Sequence, residues 1–290
     1  MKDKLLNKAE PKLGGLYFSC VISAVVLAAF AFSLLPVSGD TKKFLSYSLS
    51  SLAIVIVTIV FISVKKLDVK STLAIKIPKP RFWGYAALVF FATFFGLSGI
   101  NTYFIDFLSK CFGYNPVVTE LPEFSVLNFV LATLTICVLP AVFEEAAFRG
   151  FMLSSLSGGN CVAASLLVGA LFSMYHLNPT QTPYQLAVGF AYCLLAVKSG
   201  STFPSAVLHF LNNFLILVFQ YAFGGLNFSF TLNLILTVAG VIAYAIFVFV
   251  LVKFERTENT VSEKAAFKDF LLYAVFGIFI CVAVWVSALL

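Results

Sequence analysis

The chain has 290 residues, of which 61% are hydrophobic and 11% charged, with a mean hydropathy of +1.00. Soluble domains carry about 25% charged residues, so these values exclude a soluble globular protein and point to an all-α polytopic membrane protein. The formal net charge of +6 reads as membrane topology and contact with anionic lipid, which excludes a nucleic-acid surface.

Apolar runs of about 20 residues are long enough to cross the ~30 Å hydrocarbon layer as helices. In chain order they fall near 14–36, 44–64, 83–105, 125–157, 161–176, 184–198, 203–223, 229–252 and 270–289, giving about eight to nine spans. The first run is longer than a signal-peptide core and lacks a small-residue cleavage site, so it reads as a retained anchor. Between the second and third runs, Lys65 to Arg81, with Pro78 and Pro80, forms a basic connector suited to the inner membrane surface. The chain thus divides into amino-terminal helices and connector (1–82), a membrane core (83–252) and a carboxy-terminal helix (253–290).

With the amino terminus inside, fifteen of the 19 basic residues fall on cytoplasmic segments: Lys2, Lys4, Lys8, Lys12, Lys65, Lys66, Lys70, Lys76, Lys79, Arg81, Lys198, Lys253, Arg256, Lys264 and Lys268. Lys42, Lys43 and Lys110 lie outside and Arg149 is embedded, in keeping with the positive-inside rule. Lysine outnumbers arginine and phenylalanine is abundant, which suits a multi-pass protein of a bacterial plasma membrane. The six cysteines, Cys20, Cys111, Cys137, Cys161, Cys193 and Cys281, show no metal-ligand or Cys-x-x-Cys spacing. A sequon at Asn227 lies too near a helix start for glycosylation.

The chemistry concentrates between about residues 140 and 213. Glu144, Glu145 and Arg149 stand inside an apolar run, where ionisable groups are expensive and mark functional sites. On a helix Glu145 and Arg149 share a face as i,i+4 neighbours, while Glu144 is turned ~100° away and faces a different space. Pro140, just upstream, removes a backbone donor and predicts a kink that opens room beside the carboxylates. Phe172 and His176 repeat the four-residue interval, the ring packing over the imidazole. So do His209 and Asn213, an imidazole and a carboxamide aimed the same way, as a developing oxyanion requires. Counted from inner turns at Ser157 to Asn160 and at Ser201, the three helices bring these groups to similar depths below the cytoplasmic face. Tyr175, Asn178 and Asn212 are neighbours without an assigned role.

Taken together, Glu-Glu-x-x-x-Arg at 144–149, Phe-x-x-x-His at 172–176 and His-x-x-x-Asn at 209–213 resemble the signature of the CPBP superfamily. These are the CAAX prenyl endopeptidases and bacteriocin-processing or self-immunity proteins, also called the Abi family. The resemblance covers about 125–223 and implies an intramembrane endopeptidase. In that family the residue matching Glu144 is taken as general base and that matching His176 holds the water. Those matching His209 and Asn213 stabilise the oxyanion, and Glu145 and Arg149 shape the site, with Phe172 in support. A carboxylate in low-dielectric surroundings is a stronger base than one in water, which suits the scheme. The implied partner is a membrane-embedded or hydrophobic peptide, approached from the cytoplasmic side through a conical cavity that admits water. No cofactor is favoured. Zinc held by the two histidines and a glutamate stays open, although the spacing is not that of His-Glu-x-x-His. Oligomeric state is undetermined by the sequence.

Three other readings compete. Gly96, Ser98 and Gly99 match the Gly-x-Ser-Gly of rhomboid serine proteases, but that leaves the glutamates unexplained. A transporter would place similar groups in a proton relay, but lacks an inverted repeat here. A self-immunity or scaffold protein would keep the fold without catalysis, and buried polar groups also serve as ordinary helix-helix contacts.

Overall fold

A computed structural model describes residues 9–114, 120–156, 160–226, 228–255 and 264–289. Lys2, Lys4, Lys8, Ser157, Gly158, Gly159, Asn227, Arg256 and the side chain of Lys264 lie outside the described residues. The fold is 85% helical, without strands among the described residues. Nine helices occupy the places of the nine apolar runs: α1 Pro11–Ser33, α2 Gly39–Lys65, α3 Arg81–Phe112, α4 Val126–Ser155, α5 Cys161–Tyr175, α6 Thr182–Ser199, α7 Phe203–Phe223, α8 Phe230–Phe254 and α9 Lys264–Leu289.

Seven of them, all but α5 and α6, are long and apolar enough to cross a bilayer by length and composition. The expected eight to nine full spans therefore become seven plus a central hairpin. Helix α5 has 15 residues, about 22 Å at 1.5 Å per residue, which is short of the ~30 Å core. It lies backbone to backbone against α6, since a Cβ on Gly169 would fall 2.5 Å from the nitrogen of Phe190. Only small residues permit such an approach. Because α5 is short it ends inside the bundle, and the chain leaves it through Leu177 with φ of 51°. Asn178 then caps a turn by accepting from the backbone of Thr180 at 3.0 Å. Irregular backbone at this depth is tolerated where it lines a cavity.

Helices α3 and α4 each contain π-helical segments: Ala92–Leu97 in α3, and Thr133–Val138 and Ala146–Met152 in α4. Such segments re-aim side chains and recur at functional sites. A second close seam joins α3 to α8, where a Cβ on Gly96 would come within 2.3 Å of the Gly240 Cα. Gly99, one turn on, sits beneath Thr237 and Asn233 in the same way. The Gly-x-Ser-Gly segment thus builds a helix contact, and Ser98 donates to the carbonyl of Phe95 at 3.3 Å.

The two ends of the bundle differ. At one, the basic connector folds over the helices. Ser154 donates to the Thr72 carbonyl at 2.9 Å, the Thr202 amide donates to Ala74 at 3.2 Å, and Ser201 donates to Lys76. Glu255 receives Arg81 at 2.6 Å, and its carbonyl receives Lys198 at 2.6 Å. At the other end Tyr47 donates to the Glu120 carbonyl at 2.5 Å, Lys43 to Leu121 at 3.3 Å and Tyr221 to Pro122 at 3.1 Å. The basic connector and the helix ends at Ser154 and Ser201 thus share one end of the bundle.

Candidate active site

Helix α4 carries the carboxylates at the junction between its α-helical Leu139–Glu145 stretch and the π-helical segment that follows. Both are buried, and they face different partners. Glu144 accepts a hydrogen bond from the Tyr175 hydroxyl at 3.0 Å through Oε1, and its Oε2 lies 3.9 Å from His209 Nε2. Glu145 Oε1 meets His209 Nδ1 at 3.0 Å and Arg149 Nη1 at 3.0 Å. The i,i+4 pairing of Glu145 with Arg149 is therefore present, and His209 bridges the two glutamates from α7.

Arg149 is fully buried, yet its guanidinium nitrogens lack aligned hydrogen bonds among the described residues. It lies 4.0 Å over the Phe172 ring and 5.7 Å from that of Tyr192. Charge proximity to Glu145 and the aromatic faces replace directed hydrogen bonds, since a desolvated cation over a ring is worth about 2 kcal/mol. Phe172 also packs edge-on against His176 at 4.7 Å and His209 at 6.1 Å, centroid to centroid. One phenylalanine thus orients both histidines of the chain and the buried arginine.

His176 sits at the end of α5, its Nδ1 2.8 Å from the Phe172 carbonyl. A carbonyl only accepts, so Nδ1 carries the proton and Nε2 keeps a free lone pair. The same reasoning at the Glu145 carboxylate puts a proton on Nδ1 of His209. Asn213 donates through Nδ2 to the Ile136 carbonyl at 2.9 Å and accepts from Asn212 at 3.2 Å, which in turn accepts from the Tyr184 hydroxyl at 2.7 Å. The residue four beyond Ile136 is Pro140, which has no N–H to return to that carbonyl.

Glu144, His176, His209, Asn212, Asn213 and Pro140 all line one cavity of about 590 Å³. All seven residues expected from the sequence lie in this cluster, with Glu145, Arg149 and Phe172 behind the lining. Tyr175, Tyr184 and the Asn212 carboxamide complete the hydrogen bonding. Their partners are 28 or more residues away along the chain, except at Asn213, so spacing alone gave them no role. No group of three His, Cys, Asp or Glu side chains suited to hold a metal occurs among the described residues. His209 turns Nδ1 to Glu145 and Nε2 toward Glu144.

An all-helical polytopic membrane protein with a buried carboxylate-histidine site is the class that fold and geometry define. Residues 126–215 match the family model described as Rce1-like, type II CAAX prenyl endopeptidase. The matched stretch carries all three motifs and supports the resemblance to the CPBP/CAAX protease family. No curated protein and no solved structure matches the chain.

Proposed function

We propose that the protein cleaves a peptide bond of a hydrophobic or membrane-associated peptide, using a water activated by Glu144. The carrying observation is the fixed carboxylate: Tyr175 holds one oxygen while the other points across the cavity lining toward His209 Nε2 at 3.9 Å.

In the proposed step Glu144 takes a proton from water as the water oxygen bonds to the scissile carbonyl carbon. The carbonyl oxygen takes up the negative charge. The proton then passes from Glu144 to the leaving nitrogen as the carbon–nitrogen bond breaks. His176 Nε2, free to accept, positions the water. The second amide hydrogen of Asn213 is available to the oxyanion, as is His209 Nε2 when the ring carries both protons and Glu145 balances its charge. Arg149 and Phe172 hold this arrangement from behind.

The family name extends to prenylated substrates, and a prenylated CAAX-like peptide is one substrate of the proposed class; a short hydrophobic peptide of a bacterial plasma membrane is the other. Purified, reconstituted protein is to be assayed on a panel of both, comparing wild type with Glu144→Gln and His209→Ala. Cleavage lost in both folded variants supports the reading. Cleavage that survives Glu144→Gln overturns the Glu144 mechanism, and partner-dependent immunity that survives it, with no cleavage, overturns the reading in favour of a scaffold.

A further inference from the structure

Two helices outside the matched stretch 126–215, α1 and α9, pack together and reach the site from two directions. Ser19 of α1 enters the backbone ladder of α9: its hydroxyl donates to the Tyr273 carbonyl at 2.8 Å and accepts from the Gly277 amide at 3.1 Å. Those two groups are the i and i+4 partners of an ordinary helical turn, so the serine spans them and fixes the register of α9 on α1. Gly277 allows the approach, since a Cβ there would fall 2.9 Å from the Ser19 Cα. From α1, Tyr17 stacks on Phe151 in the π-helical segment that follows the glutamates, with ring centroids 4.1 Å apart.

From α9 the contact is Trp285. About 12 Å along the helix from Gly277, its indole Nε1 donates to Thr182 Oγ1 at 2.9 Å. A tryptophan near the end of a membrane helix ordinarily keeps its N–H in the headgroup layer; here that donor goes to a threonine at the start of α6. With the Trp285 donor in place, the Thr182 hydroxyl turns its own proton to the Asn178 carbonyl at 3.4 Å. The Thr182 carbonyl accepts from Ser173 Oγ at 2.8 Å, and the Ser173 carbonyl accepts from the His176 amide at 3.3 Å. Thr182 therefore ties both sides of the turn that joins α5 to α6, and Trp285 ties Thr182. Helix α5 stops at His176, with Leu177 at a φ of 51°. No further helical turn holds the histidine from its carboxy-terminal side, and this chain of bonds stands in that place.

We propose that Trp285 is a positioning residue for His176: through Thr182 and Ser173 the carboxy-terminal helix holds the end of α5, so that the imidazole keeps its place in the cavity wall. Trp285 is not among the residues that line the cavity, so its effect passes through the turn. The inference rests on the proposed peptidase reading for what His176 does, while the link itself is measurable without a substrate.

The chain has two histidines, so nitrogen-15 histidine labelling of the full-length protein in detergent gives two ring signal sets, assigned with His209→Ala. Trp285→Phe keeps a ring and loses the donor, and Thr182→Val loses the acceptor. Each should shift the His176 signals more than those of His209. Thr182→Ser, which keeps the hydroxyl, should return them to their wild-type positions. His176 signals unmoved by Trp285→Phe and Thr182→Val overturn the inference, whether or not any peptide is cleaved. Equal shifts of both histidines would mean a general loosening of the fold and overturn it as well. On a cleaved hydrophobic peptide, Trp285→Phe and Thr182→Val should each lower kcat roughly three- to tenfold, the scale of one hydrogen bond, with KM within about twofold. The double variant should be no slower than either alone, and losses that multiply would overturn the link between the two residues. A wild type that cleaves no peptide counts against the peptidase reading and leaves the histidine signals to decide what Trp285 does.

Discussion

Asn213 donates its side-chain amide to the carbonyl of Ile136, across from α7 to α4, at 2.9 Å. That carbonyl stands four residues before Pro140 and so lacks the N–H an uninterrupted helix would supply. Proline and asparagine therefore form one device: the break in α4 creates an acceptor, and the acceptor fixes the carboxamide in the cavity wall. Asn213→Ala should lower kcat/KM by about 10²-fold, the scale of a lost oxyanion donor. Asn213→Asp should do no better, because it sets a carboxylate against the carbonyl. Steady-state cleavage of a reporter peptide checks both, and wild-type rates in Asn213→Asp would refute the arrangement.

Tyr175→Phe removes the donor to Glu144 while leaving the tilted ring contact with Phe148 at 5.2 Å in place. A hydrogen bond to a charged group is worth about 1.5–3 kcal/mol, so kcat should fall roughly ten- to hundredfold with KM little changed. A matching loss of melting temperature would show that the hydroxyl serves folding alone.

Arg149→Ala strands Glu145 in a buried site whose other close polar neighbour is His209. Breaking a buried pair by removing one partner costs about 3–5 kcal/mol. Detergent-solubilised Arg149→Ala should melt well below Glu144→Gln, and Glu145→Gln should recover part of the loss in the double variant. Equal melting of Arg149→Ala and Glu144→Gln would mean that the arginine acts on substrate instead.

If Glu144 activates the water as proposed, chelation should leave cleavage unchanged, with no stoichiometric metal in the purified protein. Activity lost to chelator and restored by Zn²⁺ would overturn this, provided bound zinc is measured directly.

Much of the site was legible because membrane burial makes polar residues scarce and therefore informative. Glu145 and Arg149 met at the expected spacing, although the π-helical segment Ala146–Met152 begins between them. The bridging role of His209 was not legible: it depends on α7 approaching α4, which no local pattern encodes. The shortness of α5 was hidden for a related reason. Its 15 residues and those that follow are apolar enough to read as a span, and only the contact of Gly169 with Phe190 shows a hairpin lodged within the bundle.

The glycine seam between α3 and α8 bears on how a lipid-dissolved substrate could slide in sideways. With Gly96 and Gly240 pressed backbone to backbone, and Thr237 and Asn233 over Gly99, these two helices leave no slit for an acyl or prenyl chain. The wall bearing Ser98 and Asn101 works as a closed hem, so any lateral doorway to the bilayer must be cut elsewhere in the bundle.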